Sequence, residues 1–170
     1  SLPNGCNFIH AFDVINSVLT DCEATTGGPA VTPASDLVIY EVYDVKTGSG
    51  GVVSIYNRTG AAVNLSAYSI QRAGDYGGNY STYANLSGTL AAGAVAVIGV
   101  TGATECSYTV TGNGSFGATG FNAHDGIRLM KGTVVVDDVH APNHTGFYLK
   151  RKNDYLSPNS VFVANEWTSQ

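Results

Sequence analysis

Asp138, His140 and His144 stand close together in the stretch DDVHAPNH, and of all the side chains here they offer most to a metal ion. One carboxylate and two imidazoles could reach an ion from a strand end and the loop after it. Histidines four residues apart converge on one face of a helix, but Pro142 lies between these two and breaks any helix. The spacing therefore describes a polar loop as well as it describes a ligand set. Asp44, Asp75 and Asp125 fall in segments that read as loops, where a structural calcium ion would find oxygen ligands. None of them belongs to the D-x-D-x-D-G spacing of a dedicated calcium loop. GNGSFG (112–117) matches a dinucleotide-binding glycine pattern, but without the strand and helix that such a loop must join. No G-x-S-x-G elbow occurs, and Ser, His and Asp are scattered. The expectation is a protein that is not an enzyme, with no catalytic or cofactor-binding residues.

Binding chemistry is better represented. DYGGNYSTYANLS (75–87) gathers Tyr76, Tyr80 and Tyr83 in what reads as a Gly- and Asn-rich loop. Such rings stack on sugars or partner surfaces, or else pack over the edge of their own domain. Six N-x-[S/T] sequons occur, at Asn57, Asn64, Asn79, Asn85, Asn113 and Asn143. Random placement would give about two, so the excess points to a glycoprotein. Cys6 and Cys22 bracket the first segment and Cys106 lies far from both. Three cysteines allow one disulfide in an oxidising compartment, or three buried thiols.

Composition narrows the classes. Charged residues make up 12% of the 170, about half the usual share, while 44% are apolar. The surface must be built from Ser, Thr, Asn, Tyr and Gly. A net charge of -5 argues against nucleic acid as a partner. No apolar run is long enough to span a membrane. The sequence begins at Ser1 rather than Met, as a mature product does after signal-peptide removal, so the expected location is extracellular, at the cell surface.

From Asp36 onward the apolar period is two. LVIYEVY, VVSIYN, AYSIQR, VAVIGV, CSYTV, GIRLM, TVVVDDV and FYLKR are short and rich in β-branched and aromatic residues. KTGSGG, NRTGAA, LAAGA and MKGT separate them, the last as a tight hairpin with Lys131 and Gly132 between its strands. Eight or so such strands without a helical period predict a sandwich or barrel over residues 36–170. Residues 1–35 form an apolar arm and a Gly/Pro/Thr linker outside it.

The order of DLVIYEVYD, VVSIYNRTGAAVNLSAYSIQR, LSGTLAAGAVAVIG, FNAHDGIRLMKGTVVVDDV and YLKRKNDYLSPNSVFVANEWT resembles the lamin tail domain in its prokaryotic secreted form. That resemblance implies an immunoglobulin-like β-sandwich, used as an interaction module or as an appendage of secreted enzymes, with no family-wide catalytic residue. It covers about residues 36–168. Ser54 stands where relatives often carry an acidic residue, a departure that removes any shared acidic feature there. Each block also reads locally. Asn57 and Gly60 set a bend, Leu65 and Tyr68 enter the core, Gly93 precedes a buried strand, and Phe162 and Trp167 cover an open end of the sandwich.

The arm carries Phe8, Ile9, Phe12, Val14, Ile15, Val18 and Leu19. Phe8, Phe12, Ile15, Leu19 and Cys22 recur at helical intervals, whereas the β-branched content favours a strand. Burial of each large side chain contributes roughly 1.5–3 kcal/mol, so the arm must dock on something. It can fold back, meet a neighbouring domain, or add as a donor strand to another copy. The leading expectation is a secreted, non-enzymatic subunit that self-associates through this arm into a surface filament. The alternative is a module that binds carbohydrate or cell wall and accompanies a secreted hydrolase.

Overall fold

A computed structural model describes residues 32–47, 50–100, 109–117 and 119–170. The arm residues Phe8, Ile9, Phe12, Val14, Ile15, Val18 and Leu19, with Cys6, Cys22 and Cys106, lie outside the described residues. The described residues are all-β and form an immunoglobulin-like sandwich. In chain order the strands are β1 (Val38–Asp44), β2 (Gly51–Tyr56), β3 (Val63–Asn64), β4 (Tyr68–Ala73), β5 (Ser81–Asn85) and β6 (Thr89–Leu90). They continue with β7 (Val95–Gly99), β8 (Gly126–Lys131), β9 (Val134–His140), β10 (Tyr148–Arg151) and β11 (Trp167–Ser169). A five-stranded sheet in the order β11-β10-β1-β2-β7 faces a four-stranded sheet in the order β5-β4-β8-β9, and β3 pairs β6 at one end.

Alternation explains most of the core. Ile55 and Val53 of β2, Ile98 and Ala96 of β7, Ile70 of β4, and Ile127 and Leu129 of β8 share one buried cluster. β1 departs from that rule. Unbroken alternation would put Glu41 on the same face as Leu37 and Ile39. A bulge between Ile39 and Glu41 resets the pleat, so that Glu41 lies opposite Ser54 and Val42 opposite Val53. Val42 thereby joins the core and Glu41 moves to the outer face.

The loop residues of the β8–β9 hairpin are Gly132 and Thr133, one position later than expected, because Lys131 still pairs with Val134. Gly132 has a φ of +58°, which only glycine adopts without strain. The Tyr83 region reads as loop in sequence, but Ser81–Asn85 pairs with β4 as an edge strand. After β10 the chain runs across the open side of the sandwich and returns as β11. Trp167 is buried there and Phe162 packs against the core, as the sequence indicates.

One buried cation ties these parts together. Arg151 of β10 is fully buried. Its Nε donates to the Ile39 carbonyl at 2.9 Å, Nη2 to Asp137 of β9 at 2.6 Å and Nη1 to Glu166 at 2.6 Å. Its guanidinium lies 4.3 Å from the centre of the Trp167 ring. Asp137 in turn accepts from the backbone N–H of Ile39 at 2.7 Å and of Asn159 at 3.0 Å. Both backbone groups of Ile39, at the bulge, are thus satisfied by side chains from two other strands. Removing one member of such a pair strands a buried charge and costs about 3–5 kcal/mol. Arg151→Met should lower the unfolding free energy in urea by about that amount, and Arg151→Met with Asp137→Leu by clearly less. Equal losses would show that the ion pair itself carries no weight.

Candidate functional site

The candidate metal ligands do not meet. Asp138 lies on the outer face of the four-stranded sheet, where it accepts from the Tyr76 hydroxyl at 3.2 Å and from Arg128 Nη2 at 3.3 Å. The His140 ring stacks on Tyr76 with centroids 4.5 Å apart and meets Phe162 edge-on at 5.7 Å. Burial, reinforced by His124, lowers its pKa. His144 is exposed and lies against its own loop, near the Thr145 carbonyl and the edge of Phe147. Among the described residues no three His, Cys, Asp or Glu side chains gather around a common point. The trio is corrected to two residues that hold Tyr76, Asp138 and His140, and an exposed histidine apart from them.

Two of the three aspartates considered for calcium are also engaged. Asp44 ends β1 rather than lying in a loop, and its buried carboxylate accepts from the Gly146 N–H at 2.9 Å. Asp125 is buried and takes two bonds from Arg72, at 2.6 and 3.1 Å, and one from the Asn122 N–H. Asp75 is exposed.

The three tyrosines do not form a platform. Tyr80 lies under the Arg128 guanidinium, 3.7 Å from its ring centre, and directly over Gly126. A Cβ at position 126 would sit 2.1 Å from the Tyr80 hydroxyl, so the loop closes on the sheet only because that residue is glycine. Tyr83 stacks on Phe116 and donates to the carbonyls of Thr119 and Gly120. With Tyr76 held by His140 and Asp138, all three pack over their own sandwich.

The sequons divide by burial. Asn57 is fully buried, and the nitrogen that would carry a sugar donates to the carbonyls of Ala61, Leu90 and Ala91. Its oxygen accepts from Thr59. Asn57 is therefore a structural residue that locks the turn after β2, and it leaves the set of glycan acceptors. The Asn113 amide nitrogen is bonded to the Ser87 carbonyl. Asn64, Asn79, Asn85 and Asn143 are exposed.

A cleft of about 290 Å³ opens beside β11, lined by His124, His140, Pro142, Leu149, Phe162 and Trp167 among others. His124 is the one non-glycine among the described residues with a positive φ, +65°. It is held there by Tyr76 N–H donating to its carbonyl and by its own N–H donating to Pro142. Sequence reading does not find this cleft because its walls come from four separated segments. Its lining is mainly apolar, with two imidazoles, Asn143 and Ser169, and among the described residues no cysteine or acidic side chain lines it.

The lamin tail domain family model matches residues 30–143. This chain belongs to the lamin tail domain family. No curated protein and no solved structure matches it. The matched part of this lamin tail domain runs through β9. β10 and β11 lie beyond it and complete the five-stranded sheet beside β1. Lamin tail domains are immunoglobulin-like and generally non-catalytic, serving as structural or binding modules.

The titration of this lamin tail domain is set by buried acids. Burial pushes Glu41 up from 4.5 to about 7, against the pull of Tyr148, Lys150 and Ser54. Burial also lifts Asp44 and Asp137 from 3.8 to about 6. A carboxyl with a raised folded-state pKa holds its proton more tightly when folded. Its contribution to stability is complete below the unfolded value and is lost as pH rises through the folded one. The protein should therefore melt higher at pH 5 than at pH 8. Glu41→Gln should remove roughly 2–3 kcal/mol of that difference by stabilising the protein at pH 8. An unchanged slope in the variant would rule out Glu41 as the source.

Proposed function

We propose that this chain is an exported, non-enzymatic structural subunit that joins other copies of itself through its N-terminal arm, building a surface filament. What carries the reading is the fixed point from which the arm departs. The Ala34 N–H donates to the Arg58 carbonyl at 2.9 Å, which pins the chain at the end of β2. Ahead of that pin run 33 residues, of which the segment 6–22 holds seven large apolar side chains. A rigid body with a greasy tether is suited to head-to-tail association, which does not close on itself.

The surface supports the same reading. Five of the eight Lys and Arg side chains are ion-paired within the subunit. Copies can then pack closely without stripping water from free charges. Sugar recognition has less support, since Tyr76, Tyr80 and Tyr83 all pack internally.

Removal of residues 1–31 tests the proposal. The full chain should give polymers in light scattering and negative-stain microscopy, and the truncated chain monomers. A truncated chain that polymerises as the full one does would contradict the role of the arm.

A further inference from the structure

The outer face of the five-stranded sheet is built like a second core. Val38, Tyr40, Val52, Tyr56, Val97 and Tyr148 belong to a cluster of nine apolar residues there, each between 0 and 7% exposed. In a two-layer sandwich the outer face of an antiparallel sheet normally meets water and is polar. The four-stranded sheet is closer to that rule, with Ser69, Gln71, Thr82 and Arg128 at least partly exposed on its outer side beside the buried Met130 and Asp138. Among the described residues, the partly buried apolar side chain packed on the cluster is that of Leu156. One leucine does not cover nine side chains, eight spread over β1, β2, β7 and β10 and the ninth Val45 just after β1.

We infer that residues 6–22 of the same chain lie across this face as a third layer. The arm leaves the sandwich at the rim of the face: Ala34 is bonded to Arg58, and Arg58 Nη1 reaches the carbonyl of Leu156 at 3.4 Å. Residues 23–31 extend to roughly 30 Å, while five strands span about 19 Å between the outermost axes, so the whole face is within reach. The segment brings Phe8, Ile9, Phe12, Val14, Ile15, Val18 and Leu19, with Asp13 and Asp21 as its only charged residues. Residues 101–108, TGATECSY, lack the apolar mass to serve instead.

The inference rests on the arm as the associating element and specifies its seat. Association then proceeds by exchange, each arm leaving its own sheet for the same sheet of the next copy, as in domain swapping.

Photo-crosslinking of the full chain tests it. Tyr56→p-benzoylphenylalanine, and separately Tyr40→p-benzoylphenylalanine, are irradiated in a mixture of light and isotope-labelled chains, and the monomer fraction is mapped by mass spectrometry. Cooperative thermal unfolding of each variant establishes that it is folded. Adducts to residues 6–22 within one chain are expected, with loss of most of them when Phe12→Asp and Ile15→Asp are added. Adducts only to other segments, or a monomer fraction without intrachain adducts to residues 6–22, would overturn the inference. Intrachain adducts from a chain that never polymerises would leave the seat standing and dismiss the association reading. Arm-dependent polymers without adducts to residues 6–22 would do the reverse.

Discussion

A guanidinium removed from water must find an acceptor for nearly every N–H it carries, and Arg151 finds them on three different parts of the fold. A buried carboxylate on the opposite sheet, a carbonyl of the central strand and a carboxylate at the end of the closing segment converge on it. Each of those groups is in turn poorly placed without the others. Ile39 sits at a bulge, where the regular ladder is interrupted, and its N–H and carbonyl are answered by Asp137 and Arg151 instead of by a neighbouring strand. Asp137 would be an isolated charge in the core. Glu166 bonds both Arg151 and the Asn159 side chain, so the run from β10 to β11 is held at its middle and at its end. The arrangement couples the relative position of two sheets to the placement of a segment with little regular structure.

The bulge has a second effect, on the other side of the same strand. Shifting the pleat at Tyr40 brings Val42 inward and turns Glu41 outward, among apolar and tyrosine side chains. There Glu41 is met by Tyr148 at 2.5 Å, Ser54 at 3.4 Å and Lys150 at 3.8 Å. Three weakly compensating partners do not replace full hydration, so the carboxyl holds its proton until near neutral pH. The inner face gains a valine, and the outer face becomes an apolar layer with one acid in it. A surface of that kind is a poor boundary with water and a good bed for another apolar element.

Much of this was legible in the sequence. Period-two runs between Gly and Asn turns predict β2, β4, β7, β8, β9 and β10. The same reading places Leu65, Tyr68 and Trp167 in the core. The misses have physical causes. β5 hides because STYAN follows a Gly-rich loop and, as an edge strand, buries few of its residues. Strict alternation misplaces Glu41, because a bulge leaves no mark on an alternating pattern. Asn57 satisfies the sequon rule, which reads only three residues. Its burial depends on carbonyls more than thirty positions away, at Leu90 and Ala91. The cleft beside β11 and the Arg151 clamp draw on segments far apart in the chain, and no local spacing encodes either.

If the clamp makes the closing segment part of the sandwich, the amides around Asp137 belong to one cooperative unit. The Ile39 N–H donates to Asp137, the Asn159 N–H to the same carboxylate, and the Asp138 N–H to the Asn159 carbonyl at 3.0 Å. Native-state hydrogen exchange resolves these three directly. The account predicts that they exchange together and only as slowly as the core amides of β2 and β8, through global unfolding. Fast exchange at Asp138 and Asn159 with Ile39 still protected would mean that the segment opens by itself and that Arg151 does not bind the three parts into one.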